Sequence, residues 1–162
     1  MEVEKVEDER GFFARILDVK KFAEVGLNTK IVQSSISHNK KKGTLRGMHY
    51  QAKPYEEDKI ICCVKGKIFD VIVDIRQDSP TYKKWFGVEL DANEYKTLYV
   101  PKGFAHGFQT LEDDVEVFYQ MSEFFMPEYA RGIRWNDEAI KIEWPLKPSI
   151  ISKRDLSYDS FK

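Results

Sequence analysis

The chain has 162 residues, 33% of them charged and 42% hydrophobic, with a formal net charge of −1, which suits one domain that buries its apolar surface. So even a balance gives no basic face for DNA or RNA, and the single basic run, Asn39-Lys40-Lys41-Lys42, reads as a solvated loop. No apolar stretch approaches the roughly 18 residues that cross a bilayer, and Met1-Glu2-Val3-Glu4-Lys5 lacks a signal-peptide core, so no membrane partner and a cytoplasmic location are expected.

In chain order, Asp18–Val25 is a short predicted helix. Lys59–Val64 and Ile68–Ile75 are β-branched runs, and Lys65-Gly66-Lys67 between them predicts a hairpin. In the second run Phe69, Val71, Val73 and Ile75 share one face, with Asp70 and Asp74 on the other. Cys62 and Cys63 are the only cysteines; as strand neighbours they point apart, so free buried thiols in a reducing compartment are expected. The turn Gln77-Asp78-Ser79-Pro80 precedes a short run ending at Leu90, and Lys96–Val100 stops at Pro101. Phe108–Leu111 and Val115–Met121 read as a strand pair across Glu112-Asp113-Asp114. Asp137–Lys141 is a second short helix, and the polar tail from Lys147 either packs on a rim or is partly disordered. Evenly spaced strands predict an all-β jelly-roll sandwich or barrel with a few short helices, one domain over 1–162 with a core of about 8–145 and a tail of 146–162.

Two of the three histidines lie in glycine-bearing strand motifs, Leu45-Arg46-Gly47-Met48-His49-Tyr50-Gln51 and Pro101-Lys102-Gly103-Phe104-Ala105-His106-Gly107-Phe108. Imidazole titrates near neutrality, so it can take and return protons. A lone histidine under a turn is more often structural, but two such motifs in one barrel favour chemistry. Pro101 to His106 resembles a cupin strand-turn pattern whose histidine, in metal-binding cupins, joins a His-x-His pair and a glutamate. Here Met48-His49-Tyr50 offers no second histidine, and a divalent site wants three or four protein ligands. A cupin-type barrel working without metal is the expectation.

The ordered blocks Asp8-Glu9-Arg10-Gly11-Phe12-Phe13, Leu45 to Gln51, Phe69 to Arg76, Asp78-Ser79-Pro80-Thr81, Val100 to Phe108 and Arg134-Trp135-Asn136-Asp137-Glu138-Ala139-Ile140 resemble the dTDP-4-dehydrorhamnose 3,5-epimerase family from about Asp8 to Asp155. The resemblance implies a metal-free cupin-type jelly roll, a homodimer exchanging N-terminal strands, and a nucleotide-sugar substrate. It implies epimerisation at C3 and C5 beside a 4-keto group, through an enolate and without a redox cofactor. By the same resemblance His49 is the general base and Asp155 its carboxylate partner. Tyr119 is the general acid, Lys59 the cation at the keto oxygen, and His106 a supporting hydrogen-bonding group. Arg10, Phe13, Gln33, Arg46 and Phe125 fall at substrate-holding positions. Taken singly these residues have plainer explanations: a solvated acid for Asp155, a strand-face aromatic for Tyr119, surface cations for Lys59 and the arginines.

The chain departs from the family pattern in places. Its segment before Asp8 is short, which suggests curtailed strand exchange, and Arg15 stands where many members carry an acid. Ser35 replaces an asparagine, and Phe125 replaces the tyrosine that stacks on thymine, leaving dTDP, CDP and GDP all open. Single-site inversion at C3 or C5 is the alternative within the family. A metal-dependent cupin oxygenase and a sugar-binding module are the rivals from other classes.

Overall fold

The computed structural model describes residues 1–161. Strands β1 (Lys5–Asp8) and β2 (Gly11–Ala14) form a hairpin that pairs only with itself. Helix α1 (Val19–Glu24) follows, its first turn capped where the Asp18 carboxylate accepts from the Lys20 and Lys21 N–H groups. The barrel is then built from β3 (Gln33–Asn39), β4 (Thr44–Gln51), β5 (Lys59–Lys65), β6 (Lys67–Asp74), β7 (Trp85–Asp91), β8 (Thr97–Val100), β9 (Phe104–Thr110) and β10 (Val115–Met121). Short β11 (Ala130–Gly132), β12 (Ile150–Ile151) and helix α2 (Lys153–Leu156) complete the chain.

One sheet has the order β3-β10-β5-β8, and the other the order β11-β4-β9-β6-β7 with β12 parallel to β4. This is a cupin-type jelly roll, in which most successive strands switch sheets. The switching corrects two sequence expectations. Lys65-Gly66-Lys67 is not a hairpin turn, because β5 pairs with β10 and β8 while β6 pairs with β7 and β9. Nor do Phe108–Leu111 and Val115–Met121 pair, since β9 and β10 lie in different sheets. Alternation identifies a strand but not its partner. Lys59 to Cys63 are all buried, the mark of a strand packed on both sides rather than of a hairpin with one wet face.

The interior holds Ile61, Cys63, Ile68, Leu90, Phe108 and Val117, while Met48, Val71, Val73 and Ala105 pack on the outer face of the larger sheet beneath Ile133 and Ile140. The aspartates of β6 therefore meet no water: Asp70 and Asp74 are both fully buried. Asp74 accepts from the Arg76 guanidinium and from Ser79 and Thr81, closing the turn after β6. Asp137–Lys141 is a turn rather than a helix. The Asp137 carboxylate accepts from the Ala139 and Phe161 N–H groups, and Lys141 takes φ 56°. Over its described residues the tail packs on the rim, zipped to the start of β4 by β12 and followed by α2.

A bulge shapes β4. Leu45 and Arg46 oppose Gln109 and Phe108, yet His49 opposes His106, so Gly47 and Met48 together face Gly107. Residues three apart on an unbroken strand point to opposite faces; the extra residue brings Arg46 and His49 to the same side. The two glycines allow this. Gly47 has φ +130°, and a Cβ on Gly107 would stand 2.7 Å from the Arg46 carbonyl oxygen and 2.7 Å from the Met48 sulfur. Gly107→Ala should therefore cost roughly 2–3 kcal/mol in chemical denaturation. A loss near zero would contradict this close approach.

Candidate functional site

A cavity of about 320 Å³ opens between the two sheets. From the larger sheet β4 contributes Arg46 and His49 and β9 contributes His106; from the smaller, β5 contributes Lys59 and β10 contributes Tyr119. An imidazole and a phenol thus face one space from opposite walls, with an ammonium at its side.

His49 sits with its side chain 41% exposed, and its Nε2 lies 2.7 Å from Oδ1 of Asp155. That carboxylate is buried at the start of α2, where its own N–H donates to the Ser152 hydroxyl and its Oδ2 accepts from the Gly47 N–H at 3.3 Å. Burial by itself would push the Asp155 carboxyl up, but the His49 hydrogen bond and charge, helped by Gly47 and Ser152, hold it below the usual carboxylate range. Asp155 stays charged, orients the ring through Nε2–H and leaves Nδ1 as the nitrogen with a free lone pair. Asp155 is accordingly no solvated acid.

His106 forms a second such pair, its Nε2 2.5 Å from Oδ1 of Asp70, and both side chains are buried. Its ring and that of Tyr119 stand at 77° to each other with centroids 6.2 Å apart. Burial pushes the Tyr119 phenol well above its ordinary range, and the Asp70 charge adds to the effect, so the hydroxyl keeps its proton and can donate it. The position of Tyr119 is that of a strand-face aromatic next to Met121, and both residues line the cavity.

Lys59 is not on the surface. Its side chain is 11% exposed, with Nζ 3.1 Å from Glu57 Oε1 and 3.4 Å from the His49 carbonyl oxygen. Glu57 and Asp70 are site residues that sequence reasoning missed. Both stand beside residues it singled out, but only the three-dimensional pairing reveals them.

Arg46 lines the cavity with Nε donating to Asn39 Oδ1 at 2.6 Å, which fixes the plane of its fork. Gln33 and Phe125 meet at the mouth, where the Phe125 N–H donates to Gln33 Oε1 at 2.7 Å and Phe125 is 55% exposed. Ser35 also lines this space. Arg10 and Phe13 do not join them within the chain. They ride on the β1–β2 hairpin, which has no backbone partner in the barrel; Arg10 pairs with Asp8, and Phe13 is 66% exposed. Arg15, likewise outside, faces Asp18 at 3.8 Å. Among the described residues, no group of three or more His, Cys, Asp and Glu side chains is arranged to hold a metal ion. No helix among them is long and apolar enough to cross a membrane.

Known proteins resemble this chain over nearly its whole length. The family model described as dTDP-4-dehydrorhamnose 3,5-epimerase matches residues 1–162. A Shigella flexneri protein named dTDP-4-dehydrorhamnose 3,5-epimerase is 46% identical over 155 residues, covering 95% of this chain and 85% of that one. The Bacillus anthracis dTDP-4-dehydrorhamnose 3,5-epimerase crystal structure, with TDP and PPi bound, superposes with a TM-score of 0.95 at 39% identity, covering 99% and 91% of the two chains. The Legionella pneumophila dTDP-6-deoxy-D-glucose-3,5-epimerase in complex with dTDP-4-keto-L-rhamnose gives 0.92 at 35%, covering 98% and 85%. With matches over nearly its whole length, and a jelly roll whose two walls carry the histidine, lysine and tyrosine, this chain belongs to the dTDP-4-dehydrorhamnose 3,5-epimerase family.

Proposed function

We propose that this chain inverts C3 and C5 of a dTDP-linked 4-keto-6-deoxy sugar by removing and returning protons beside the ketone. The observation that carries the reading is the His49–Asp155 pair facing Tyr119 and Lys59 across one cavity. The ketone acidifies the hydrogens on both neighbouring carbons. His49 Nδ1 takes one of them while Asp155 steadies the imidazolium that forms. Charge then develops on the ketone oxygen, where the Lys59 ammonium stabilises the enolate more than the ground state. Tyr119, on the other wall, returns a proton to the opposite face of the carbon, and that return inverts it. His106, tied to Asp70, supports the Tyr119 ring.

In this reading Arg46 holds the diphosphate, since a guanidinium fork suits its oxygens, and Phe125 stacks on the base. Arg10 and Phe13 serve a partner's cavity in a homodimer. Two features support that role: the hairpin pairs only with itself, and β3 is an edge strand bonded on one side to β10. The adjacent thiols Cys62 and Cys63, both free and buried, suit a reducing cytoplasm.

The test is incubation with dTDP-, CDP- and GDP-linked 4-keto-6-deoxy sugars in heavy water, followed by nuclear magnetic resonance. Deuterium should enter C3 and C5 of the dTDP sugar with inversion at both. Exchange at one carbon alone, or faster reaction of another nucleotide, would replace that part of the reading. In Tyr119→Phe, complete inversion should fall about 100-fold while proton wash-out falls much less, because removal does not need the returning acid. Equal losses would remove Tyr119 from that role.

A further inference from the structure

Gln51, two residues beyond His49, is a fully engaged amide that the reaction itself does not use. It is 4% exposed and sits at the end of β4, on the same side of the strand as His49. Its Oε1 accepts from the Met126 N–H at 2.6 Å, and its Nε2 is shared among the Phe124 carbonyl at 3.1 Å, the Tyr55 carbonyl at 2.9 Å and Glu57 Oε2 at 3.3 Å. The other Glu57 oxygen holds Lys59, and Lys59 reaches back to the His49 carbonyl.

The segment around Phe125 has no ladder of its own, so its backbone groups must be satisfied elsewhere. Two glutamines from opposite sheets do this: Gln33 on β3 takes the Phe125 N–H, and Gln51 on β4 takes both groups flanking it. The aim of the Phe125 ring is therefore set by Gln51, and so is the Glu57 carboxylate that restrains the ammonium. We propose that Gln51 is a positioning residue that joins the aromatic platform at the cavity mouth to the Glu57–Lys59 ion pair. Nucleotide binding at one end and enolate stabilisation at the other are thereby coupled. This rests on the roles given above to Phe125 and Lys59.

Double-mutant cycles on the full-length protein with the dTDP-linked 4-keto-6-deoxy sugar test it. Gln51→Leu should raise KM and lower kcat, each by about tenfold. In a Lys59→Met background its effect on kcat should shrink to within about twofold, and in a Phe125→Leu background its effect on KM should shrink likewise. A residue that merely holds the fold would lower stability and leave the effects multiplicative. Full additivity beside normal single-variant effects would overturn the coupling alone. If Lys59→Met or Phe125→Leu had no effect of its own, the roles beneath the proposal would fall, and the proposal with them. Should Gln51→Leu fail to fold, Gln51→Asn carries the test. It keeps a buried amide, one methylene short of Met126, Phe124 and Glu57. About a tenfold loss of kcat supports the proposal, and unchanged kcat and KM overturn it.

Discussion

Replacing His49 with alanine should lower turnover by about 1,000-fold and abolish solvent deuterium uptake, while dTDP affinity stays within a few-fold. The prediction follows from geometry. Of the two carboxylate-held imidazoles that line the cavity, only that of His49 is open to a ligand, whereas His106 is buried against Asp70, so removing His49 leaves no accessible imidazole at that wall. A complication is that alanine strands Asp155, which loses its Oδ1 partner in a buried position. His49→Gln separates the two effects, because an amide can still donate to Asp155 but offers no imidazole lone pair. The glutamine variant should regain stability without regaining exchange. Isotope uptake at the native rate in either variant would assign the base elsewhere.

Lys59→Met should lower kcat by roughly 100- to 1,000-fold, the usual loss when a group facing developing negative charge is removed from a water-poor site. Binding of dTDP alone should change little, since Lys59 stands beside the reacting sugar in the proposed pose rather than at the base. This variant leaves Glu57, its side chain only 11% exposed, with its charge unanswered, which is destabilising in its own right. The double variant Lys59→Met/Glu57→Gln removes that penalty. It should recover thermal stability and remain slow. Recovery of kcat in the double variant would mean that the ion pair serves folding and that the ammonium has no part in the chemistry.

Much of this site is legible in the chain. The glycine-flanked motifs single out His49 and His106 from residue types and spacing, and family resemblance supplies Asp155, Tyr119 and Lys59. Period-two patterning places most of the central strands. What it cannot supply is pairing across space. The β5–β6 link and the β9–β10 link both read as hairpins, because local turn chemistry is the same whether a chain reverses within a sheet or steps between two. Asp70 reads as the polar side of a half-wet strand, whereas both faces of β6 are covered and the carboxylate answers His106. Asp155 lies in a tail whose composition suggests looseness, and its order comes from two residues of parallel pairing with β4 that no local signal announces. Arg10 and Phe13 carry a clear motif yet end outside the cavity of a single chain, so motif membership alone does not locate them.

The surplus residue in β4 also makes this wall depend on how the ladder closes. Were β4 to pair evenly with β9 over the same residues, Arg46 and His49, three apart, would face opposite sides and the imidazole would turn to the outer sheet face, with every named group still encoded. Gly47 and Gly107, which bring no reactive atom, thus decide where the base points.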